Sequence, residues 1–315
     1  MAHETNASGG ARTEKTEGLI AATHTPMDAD GNVRLEGVDR IAAFLARNEV
    51  AGAFVNGTTG EGVSLTVRER TDLVERWVSA APAGFRVIVH VGHACVRESR
   101  TMAAHAQDVG AWGIGTMPPV FFRPRTVEDL ADVCGEIAAA APNLPFYYYH
   151  IPSMTGARFG MAGFLRLAAE QIPNLRGVKF TDEDLMDYAE CLALDGGRFD
   201  CLFGRDEILL SALALGARGA IGSTYNFAAP LYRHIERDFR TGDLAAAREK
   251  QSLSRRMIQA AVRHGSGVAA FKAIMEMAGV PVGPPRSPVR ALREVRKASL
   301  RAELDALGFF EWCAK

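Results

Sequence analysis

Short apolar runs alternate with amphipathic stretches along most of the chain. Eight runs are rich in β-branched and small apolar residues, as buried strands are. They lie at residues 18–26, 51–57, 86–92, 112–118, 144–152, 175–181, 199–204 and 217–224. Their C-terminal ends follow one another at intervals of about 20 to 35 residues, the repeat of a strand followed by a helix. The pattern therefore predicts a succession of βα units.

The stretches between the runs have the periodicity of amphipathic helices. In residues 66–80, most apolar side chains share one face, and arginines and glutamates occupy the rest. Thr66 and Glu69 have the spacing of a capping box, in which each side chain satisfies a backbone amide at the start of a helix. Residues 182–194 and 207–215 repeat the amphipathic pattern after their strands.

Eight strands that alternate with helices favour a closed (β/α)₈ TIM barrel over an open doubly wound sheet. No G-x-G-x-x-G sequence opens a helix, as a dinucleotide-binding sheet would require. Beyond Tyr225 the strand signal stops, and a break at the proline-rich residues 279–288 separates the last two helices. These later helices are predicted at residues 230–240, 243–264, 268–278 and 288–307.

This pattern predicts that the chain is divided into three parts. Residues 1–17 are polar and are predicted to form a flexible N-terminal tail. Residues 18–240 are predicted to form the barrel, and residues 241–315 a C-terminal helical extension.

Composition and charge exclude several classes of function. Of the 315 residues 48% are hydrophobic, and 36 basic against 37 acidic side chains give a net charge of −1. This composition excludes disorder, and the balanced charge offers no electrostatic surface for nucleic acid or an anionic membrane. No apolar run approaches the roughly 18 residues of a membrane span, and the N-terminus lacks the apolar core of a signal peptide. Five scattered cysteines without a C-x-x-C pair argue against a disulfide framework or structural zinc, so a cytoplasmic protein is expected.

Active sites of such barrels are built from the loops at the C-terminal ends of the strands. Lys179 is the strongest candidate, because a lysine within the strand at 175–181 is expected to point into the barrel. Burial lowers the pKa of an ammonium group and frees the amine to attack a carbonyl carbon. The alternatives are a lysine that extends to solvent at the barrel rim, or one that pairs with a carboxylate such as that of Asp182.

Tyr149 ends the preceding strand, 30 residues before Lys179, so the two are expected on adjacent strands at the same height. A phenol beside an ammonium or iminium group can transfer protons. The alternative is simple packing, since aromatic residues favour strands in any role.

A glycine-rich loop, residues 57–62 with the sequence Gly-Thr-Thr-Gly-Glu-Gly, follows the second strand. Glycines allow a tight turn that exposes amide donors, and the hydroxyl groups of Thr58 and Thr59 add two more. The loop therefore suits a carboxylate or a phosphate. A turn that only caps the next helix would use the same residue types.

Polar residues also follow the last two strands. Asp206 and Glu207 could accept hydrogen bonds from substrate hydroxyl groups, or they could cap the next helix. Residues 222–226, with the sequence Gly-Ser-Thr-Tyr-Asn, could contact a sugar or form an ordinary turn.

Other polar and aromatic residues support no separate activity. His90 and His93 lack a third ligand at a useful spacing, so they are interpreted as structural and not as metal ligands. The pair Phe121 and Phe122 is predicted to lie in the core or at an interface. Neither G-x-S-x-G nor H-E-x-x-H occurs, which removes the hydrolases that carry these motifs.

Three segments together resemble the pyruvate-dependent class I aldolases related to dihydrodipicolinate synthase. They are Gly-Thr-Thr-Gly-Glu at 57–61, Tyr-His-Ile-Pro-Ser-Met-Thr-Gly at 149–156 and Gly-Val-Lys-Phe-Thr-Asp at 177–182. Within that superfamily the chain is most similar to the N-acetylneuraminate lyases, or sialic acid aldolases. This similarity rests further on residues 55–62, 202–207, 219–226 and 283–286. It extends over nearly the whole folded chain.

The resemblance implies a reversible cleavage of N-acetylneuraminate to N-acetylmannosamine and pyruvate. It implies that Lys179 forms an imine with the 2-keto group and that Tyr149 moves the proton of the hydroxyl next to the breaking bond. Thr58 and Thr59 match residues that hold the substrate carboxylate, with Thr58 near the tyrosine hydroxyl. Five positions match residues that contact the sugar hydroxyl groups: Thr181, Gly204, Asp206, Glu207 and Ser223.

The resemblance also implies what the reaction does not need. The covalent imine on Lys179 replaces a metal as electrophile, so neither a cofactor nor a metal is expected. The expected partners are a small 2-keto acid and further copies of the chain, since relatives are commonly homotetramers.

Departures from the synthase pattern leave the substrate open. Met154 stands where the synthase has an arginine for a second carboxylate, and an apolar side chain cannot bind one. Phe121 and Phe122 stand in the segment that carries the relay tyrosine of the synthase. Arg205 lies at a position that relatives fill variously. The alternatives are another pyruvate-dependent aldolase or hydratase acting on a different 2-keto acid, and a non-catalytic barrel that binds sugar acids.

Overall fold

A closed barrel of eight parallel strands forms the centre of the protein. The computed structural model describes residues 15–315. The strands pair in sequence order, and the last pairs with the first to close the barrel. They are β1 (Gly18–Ala22), β2 (Gly52–Val55), β3 (Arg86–His90), β4 (Gly113–Thr116), β5 (Phe146–His150), β6 (Leu175–Phe180), β7 (Asp200–Phe203) and β8 (Gly219–Gly222). Each lies within one of the predicted apolar runs, so the predicted (β/α)₈ barrel is confirmed.

Helices surround the barrel and continue beyond it as the predicted C-terminal helices. They are α1 (Gly37–Arg47), α2 (Val67–Ala80), α3 (Val96–Asp108), α4 (Val127–Ala138), α5 (Pro152–Thr155), α6 (Met161–Gln171), α7 (Leu185–Gly197), α8 (Leu209–Leu215), α9 (Tyr225–Arg240), α10 (Leu244–His264), α11 (Gly267–Met277), α12 (Glu294–Ala306) and α13 (Phe309–Trp312). One continuous hydrophobic core joins the barrel helices to the later ones. The boundary at residue 240 therefore stays a prediction. Within residues 15–315, no helix is long and apolar enough to cross a membrane.

Helix α2 shows how the local sequence determines where a helix begins and which of its faces is buried. The Thr66 hydroxyl accepts a hydrogen bond from the Glu69 amide at 3.2 Å, and the Glu69 carboxylate accepts one from the Thr66 amide at 2.9 Å. The predicted capping box is therefore confirmed. Leu73 and Trp77, on the apolar face, are each 1% exposed.

Three helix starts differ from the prediction. Helix α9 begins at Tyr225, directly after β8, and accommodates Pro230 because the backbone is non-helical at Ala228. Helix α7 begins at Leu185 and not at 182, because the Asp184 carboxylate caps its first turn. Helix α12 begins at Glu294 and not at 288, after a segment without regular structure.

The N-terminal end of the barrel includes residues that were predicted to belong to a flexible tail. Residues 1–14 of that predicted tail lie outside the described residues. Thr16 is 1% exposed, and its amide donates to the Asp200 carboxylate at 3.2 Å. The Tyr147 hydroxyl donates to the same carboxylate at 2.8 Å. Thr16 thus packs at the N-terminal end of the barrel, and the flexibility of the tail stays a prediction.

Candidate active site

Lys179 and Tyr149 face each other inside the barrel. The two residues are register partners on β6 and β5, as the spacing of one βα unit predicted. The Lys179 Nζ lies 3.9 Å from the centroid of the Tyr149 ring and 4.3 Å from that of Phe54. Lys179 and Tyr149 are each 3% exposed. The amine therefore lies against two aromatic faces in a buried site.

Burial controls the charge of Lys179. It lowers the pKa of the amine from 10.5 to about 7, and the carboxylate of Asp206 offsets part of this effect. The Asp182 carboxylate accepts hydrogen bonds from the Glu183 amide at 2.6 Å and from the Asp184 amide at 3.2 Å. Both alternatives, exposure at the rim and pairing with Asp182, are wrong. Near neutral pH a substantial fraction of the amine is uncharged.

Tyr149 connects the amine to the glycine-rich loop. Its hydroxyl lies 3.2 Å from the Thr58 Oγ1, within hydrogen-bond distance. Its ring stands edge-on to Phe54 and His90, with centroids 5.4 and 5.7 Å apart. Burial raises the pKa of the phenol to about 12, although the Thr58 hydroxyl opposes this. In the resting protein the phenol is therefore protonated. Its ring packs against neighbouring rings, and its hydroxyl is hydrogen-bonded to Thr58.

The two histidines of β3 and its loop contact backbone groups. The His90 Nδ1 lies 3.1 Å from the Asn56 carbonyl oxygen, and its Nε2 accepts from the Met117 amide at 3.4 Å. His93 accepts through Nδ1 from the Cys95 amide at 3.0 Å. These contacts support the structural interpretation of both histidines. In the described part of the chain, no three His, Cys, Asp or Glu side chains group closely enough to hold a metal ion.

The glycine-rich loop forms a turn of its own. The Glu61 amide donates to the Thr58 carbonyl at 3.1 Å, which closes the turn around Thr58 and Thr59. Thr59 is 8% exposed and Thr58 is half-buried. The next long helix is capped by Thr66. The alternative that this loop only caps the following helix is therefore wrong.

Asp206 is held by the loop after β8. Its Oδ2 accepts from the Thr224 amide at 2.9 Å and from the Thr224 hydroxyl at 2.6 Å. Its Oδ1 is buried and has no hydrogen-bond partner among the described residues. Burial raises the pKa of this carboxyl to about 6, and the Glu207 carboxylate adds to the effect. Helix α8 has no side-chain cap, so the capping alternative is wrong for both acidic residues.

Two glycines create the space for polar side chains at the strand ends. A Cβ on Gly222 would lie 1.8 Å from the Asp206 Oδ1, and one on Gly204 would lie 2.0 Å from the Thr181 Oγ1. Real Cβ contacts are never so short, so a Cβ at either position would force the Asp206 or the Thr181 side chain to move. The half-buried Thr181 and Ser223 follow β6 and β8. The predicted site residues therefore gather at the C-terminal ends of the strands.

Arg205 lies at the outer edge of this group. Its guanidinium forms an ion pair with the Glu183 carboxylate and lies 3.9 Å from the Glu207 carboxylate. The Arg205 and Glu207 side chains are 31 and 34% exposed. Arg205 therefore links a carboxylate at the surface to one at the predicted substrate site.

Comparison with known proteins places this geometry in a family. The sequence profile described as the dihydrodipicolinate synthetase family matches residues 15–307. The chain belongs to the dihydrodipicolinate synthetase family. It is 42% identical to the N-acetylneuraminate lyase of Gallus gallus over 298 residues, 93% of this chain and 97% of that protein. It is 40% identical to the N-acetylneuraminate lyase of Homo sapiens, over 95% of each chain.

Solved structures of this family extend the likeness to three dimensions. The Proteus mirabilis N-acetylneuraminate lyase superposes with a TM-score of 0.91 at 40% identity and covers 94% of this chain and 100% of its own. The sequence-based resemblance to the lyases of the dihydrodipicolinate synthetase family is therefore confirmed.

Sequence reasoning missed two residues of the site and left the place of an aromatic pair open. Nothing in the sequence indicates that Phe54 lies under the amine, since an apolar residue in a strand is expected in any barrel. Thr224 falls within the segment 222–226, but only the fold shows that it holds a carboxylate. Phe121 and Phe122 are 82 and 85% exposed, so of the two predicted places, the core or an interface, the interface remains.

Proposed function

We propose that this protein is a Schiff-base aldolase that cleaves N-acetylneuraminate reversibly to N-acetylmannosamine and pyruvate. The observation that carries the proposal is the buried Lys179 amine, with a pKa of about 7, seated against the Tyr149 ring. A neutral amine inside the barrel is a nucleophile for a ketone. The substrate comes from the similarity to N-acetylneuraminate lyases.

The first stage is formation of the imine. The neutral Lys179 amine adds to the C2 ketone of the open-chain substrate. The Tyr149 phenol donates its proton to the departing hydroxyl group, and loss of water leaves a protonated imine beside the Tyr149 phenolate. This cation draws electrons from the C3–C4 bond and so replaces a metal or an organic cofactor. The faces of Phe54 and Tyr149, 4.3 and 3.9 Å from the nitrogen, favour a cation at this position.

The second stage is cleavage. The Tyr149 phenolate left by imine formation takes the proton from the C4 hydroxyl, the C3–C4 bond breaks, and N-acetylmannosamine leaves as the aldehyde. The bonding electrons form an enamine, which is protonated at C3 and hydrolysed to pyruvate and the free amine. An adjacent iminium cation lowers the pKa of the phenol and prepares it for this transfer. Thr58, 3.2 Å away, orients the phenol oxygen.

Substrate binding is assigned to the residues around the amine. Thr58 and Thr59 hold the carboxylate through the glycine-rich loop. Contacts with the sugar hydroxyl groups are assigned to Thr181, Gly204, Asp206, Glu207 and Ser223. The buried, unpartnered Asp206 Oδ1 supports this assignment, because a buried carboxylate oxygen needs a donor.

Trapping with pyruvate tests the proposal directly. Borohydride should reduce the pyruvate imine, and peptide mass mapping should find the adduct on Lys179. Lys179→Met should form no adduct, whereas Lys250→Met, which removes a lysine of α10, should react as the wild type does. Wild-type protein without an adduct would overturn the aldolase and favour a non-catalytic barrel that binds sugar acids.

A substrate panel tests the aldehyde partner. Pyruvate release from N-acetylneuraminate should exceed release from other 2-keto acids of similar length. A faster reaction with a different 2-keto acid would instead identify another pyruvate-dependent aldolase or hydratase.

We further propose a cytoplasmic homotetramer that needs neither cofactor nor metal and binds neither nucleic acid nor membrane. The exposed pair Phe121 and Phe122 supports a subunit contact, since such apolar pairs are typical of interfaces. The five free cysteines support a reducing compartment. Light scattering should give four times the chain mass, and activity should survive dialysis against a chelator. A monomer, or a loss of activity that added metal restores, would contradict these assignments.

A further inference from the structure

A buried ion pair connects the glycine-rich loop to the C-terminal helix α11. The Lys272 Nζ lies 2.7 Å from the Glu61 Oε1, and the two side chains are 2 and 4% exposed. Removing two charges from water is unfavourable, and their attraction compensates only when the geometry is good and further hydrogen bonds are made. Apolar residues of similar size would often be as stable. A pair of this kind therefore calls for a role beyond stability.

Further hydrogen bonds fix both members of the pair. The Lys272 Nζ donates to the Pro284 carbonyl at 2.9 Å. The Glu61 Oε2 accepts from the Arg286 amide at 2.7 Å, and the Arg286 guanidinium is paired with Glu69 on α2. The ion pair is thus locked to the segment that follows α11 and to the helix that follows the loop.

The backbone of Glu61 depends on these contacts. Its φ of +56° and ψ of +29° lie in the left-handed region, which is unfavourable for a residue with a side chain. In this conformation its amide donates to the Thr58 carbonyl and closes the turn. Without an anchored side chain, Glu61 would relax toward an ordinary conformation and the turn around Thr58 and Thr59 would open.

The other side of the loop is held separately. The Thr25 hydroxyl donates to the Gly60 carbonyl at 2.6 Å, from the segment that follows β1. The loop is therefore fixed from the barrel side by Thr25 and from the C-terminal side by Glu61.

We propose that Glu61 and Lys272 are positioning residues for the substrate carboxylate. Their ion pair holds the glycine-rich loop in the conformation in which Thr58 and Thr59 bind the carboxylate of a 2-keto acid. This rests on the proposed function, in which the loop binds that carboxylate. The carboxylate is unchanged during the reaction, so the pair contributes equally to the binding of substrate and transition state. Its loss should raise KM and leave kcat nearly unchanged.

The test uses the dependence of borohydride trapping on pyruvate concentration. The variants are Glu61→Gln, Lys272→Met and the double variant, which leaves no unpaired buried charge and so folds even if Lys272→Met does not. The half-saturating pyruvate concentration should rise about tenfold or more in each, equivalent to about 1.4 kcal/mol. The trapping rate at saturating pyruvate should stay within about threefold of wild type.

Lys250→Met is the matched control. It removes another lysine in an ion pair, with its Nζ 2.7 Å from the Asp238 Oδ2, and this pair joins α10 to α9 and includes no residue of the glycine-rich loop. This variant should keep the wild-type half-saturating concentration, whatever its melting temperature. Circular dichroism and melting curves should accompany every variant.

The outcomes separate the two proposals. A folded double variant with the wild-type half-saturating concentration would overturn the positioning role. An equal rise in Lys250→Met would also overturn it, because the effect would then follow general stability. A fall in the saturating rate without a change in half-saturation would assign the pair to chemistry and contradict positioning. Absence of an adduct in the wild type would overturn the proposed function itself.

Discussion

Replacing the proposed nucleophile should stabilise the folded protein, most strongly at low pH. An unfolded chain binds a proton at Lys179 up to a pH near 10.5, whereas burial lowers the pKa in the folded protein to about 7. Between these values the unfolded state binds more protons, so the free energy of unfolding rises with pH. Below pH 7 the penalty of the buried ammonium is complete, and above 10.5 it vanishes. Lys179→Met removes the ionisable group but keeps an unbranched apolar stem.

The magnitude follows from the pKa difference. Each pKa unit corresponds to about 1.4 kcal/mol, so a pKa lowered from 10.5 to about 7 corresponds to roughly 5 kcal/mol at about pH 6. At about pH 9 roughly 2 kcal/mol remains. The variant should therefore gain about 3 kcal/mol more at the lower pH than at the higher one. Changes in packing against Phe54 and Tyr149 cancel in this difference, because they do not depend on pH.

Urea unfolding followed by tryptophan fluorescence measures this difference. Wild type, Lys179→Met and the control Lys250→Met should be compared at both pH values and at one protein concentration. The control should show no comparable dependence on pH, since Lys250 is partly exposed and paired with Asp238. A gain in Lys179→Met that is the same at both pH values would refute the claim that Lys179 is buried as a free amine.

Three further predictions concern the phenol, a strand-end glycine and a helix cap. Tyr149→Phe should still form the pyruvate adduct, but the steady-state rate of N-acetylneuraminate cleavage should fall about 10²–10⁴-fold, because proton transfer is lost. Gly222→Ala should displace the Asp206 carboxylate, because a Cβ at this position would otherwise lie 1.8 Å from the Asp206 Oδ1. It should therefore raise KM for the sugar acid about tenfold in initial-rate assays without changing pyruvate trapping. Thr66→Ala should lower the free energy of unfolding by about 1 kcal/mol, measured in urea, because α2 loses its cap.

A specific result would contradict each of these three predictions. Wild-type cleavage by Tyr149→Phe would remove the phenol from proton transfer. Equal losses of sugar-acid and pyruvate binding in Gly222→Ala would point to damage beyond Asp206. An unchanged free energy of unfolding in Thr66→Ala would mean that water replaces the cap without loss.

Periodicity was enough to predict the barrel, because each buried strand is a short apolar run and each helix has a polar face. It also predicted that Lys179 and Tyr149 meet, since one βα unit in a parallel barrel brings equivalent positions to the same height. The ends of the helices could be predicted less well from the sequence. Pro230 is typical of a first helical turn, so the sequence could not indicate that α9 starts five residues earlier and is kinked at Ala228.

The candidate site was predictable where residue types carry their own chemistry, as for Lys179. The sugar-binding positions depended on resemblance to a family, because serine and threonine at a strand end are equally typical of turns. Long-range partners could not be predicted. Glu61 and Lys272 are far apart in sequence, and only the packing of α11 against the glycine-rich loop brings them together.

The absence of side chains at Gly204 and Gly222 has a consequence for changing the substrate range by directed evolution. Libraries at these two positions should yield mostly clones that bind the sugar acid weakly, since any larger residue collides with Thr181 or Asp206. Arg205 and Glu207 have room toward solvent and no such collision. Saturation mutagenesis of Arg205 and Glu207 should therefore yield variants with new substrate specificities.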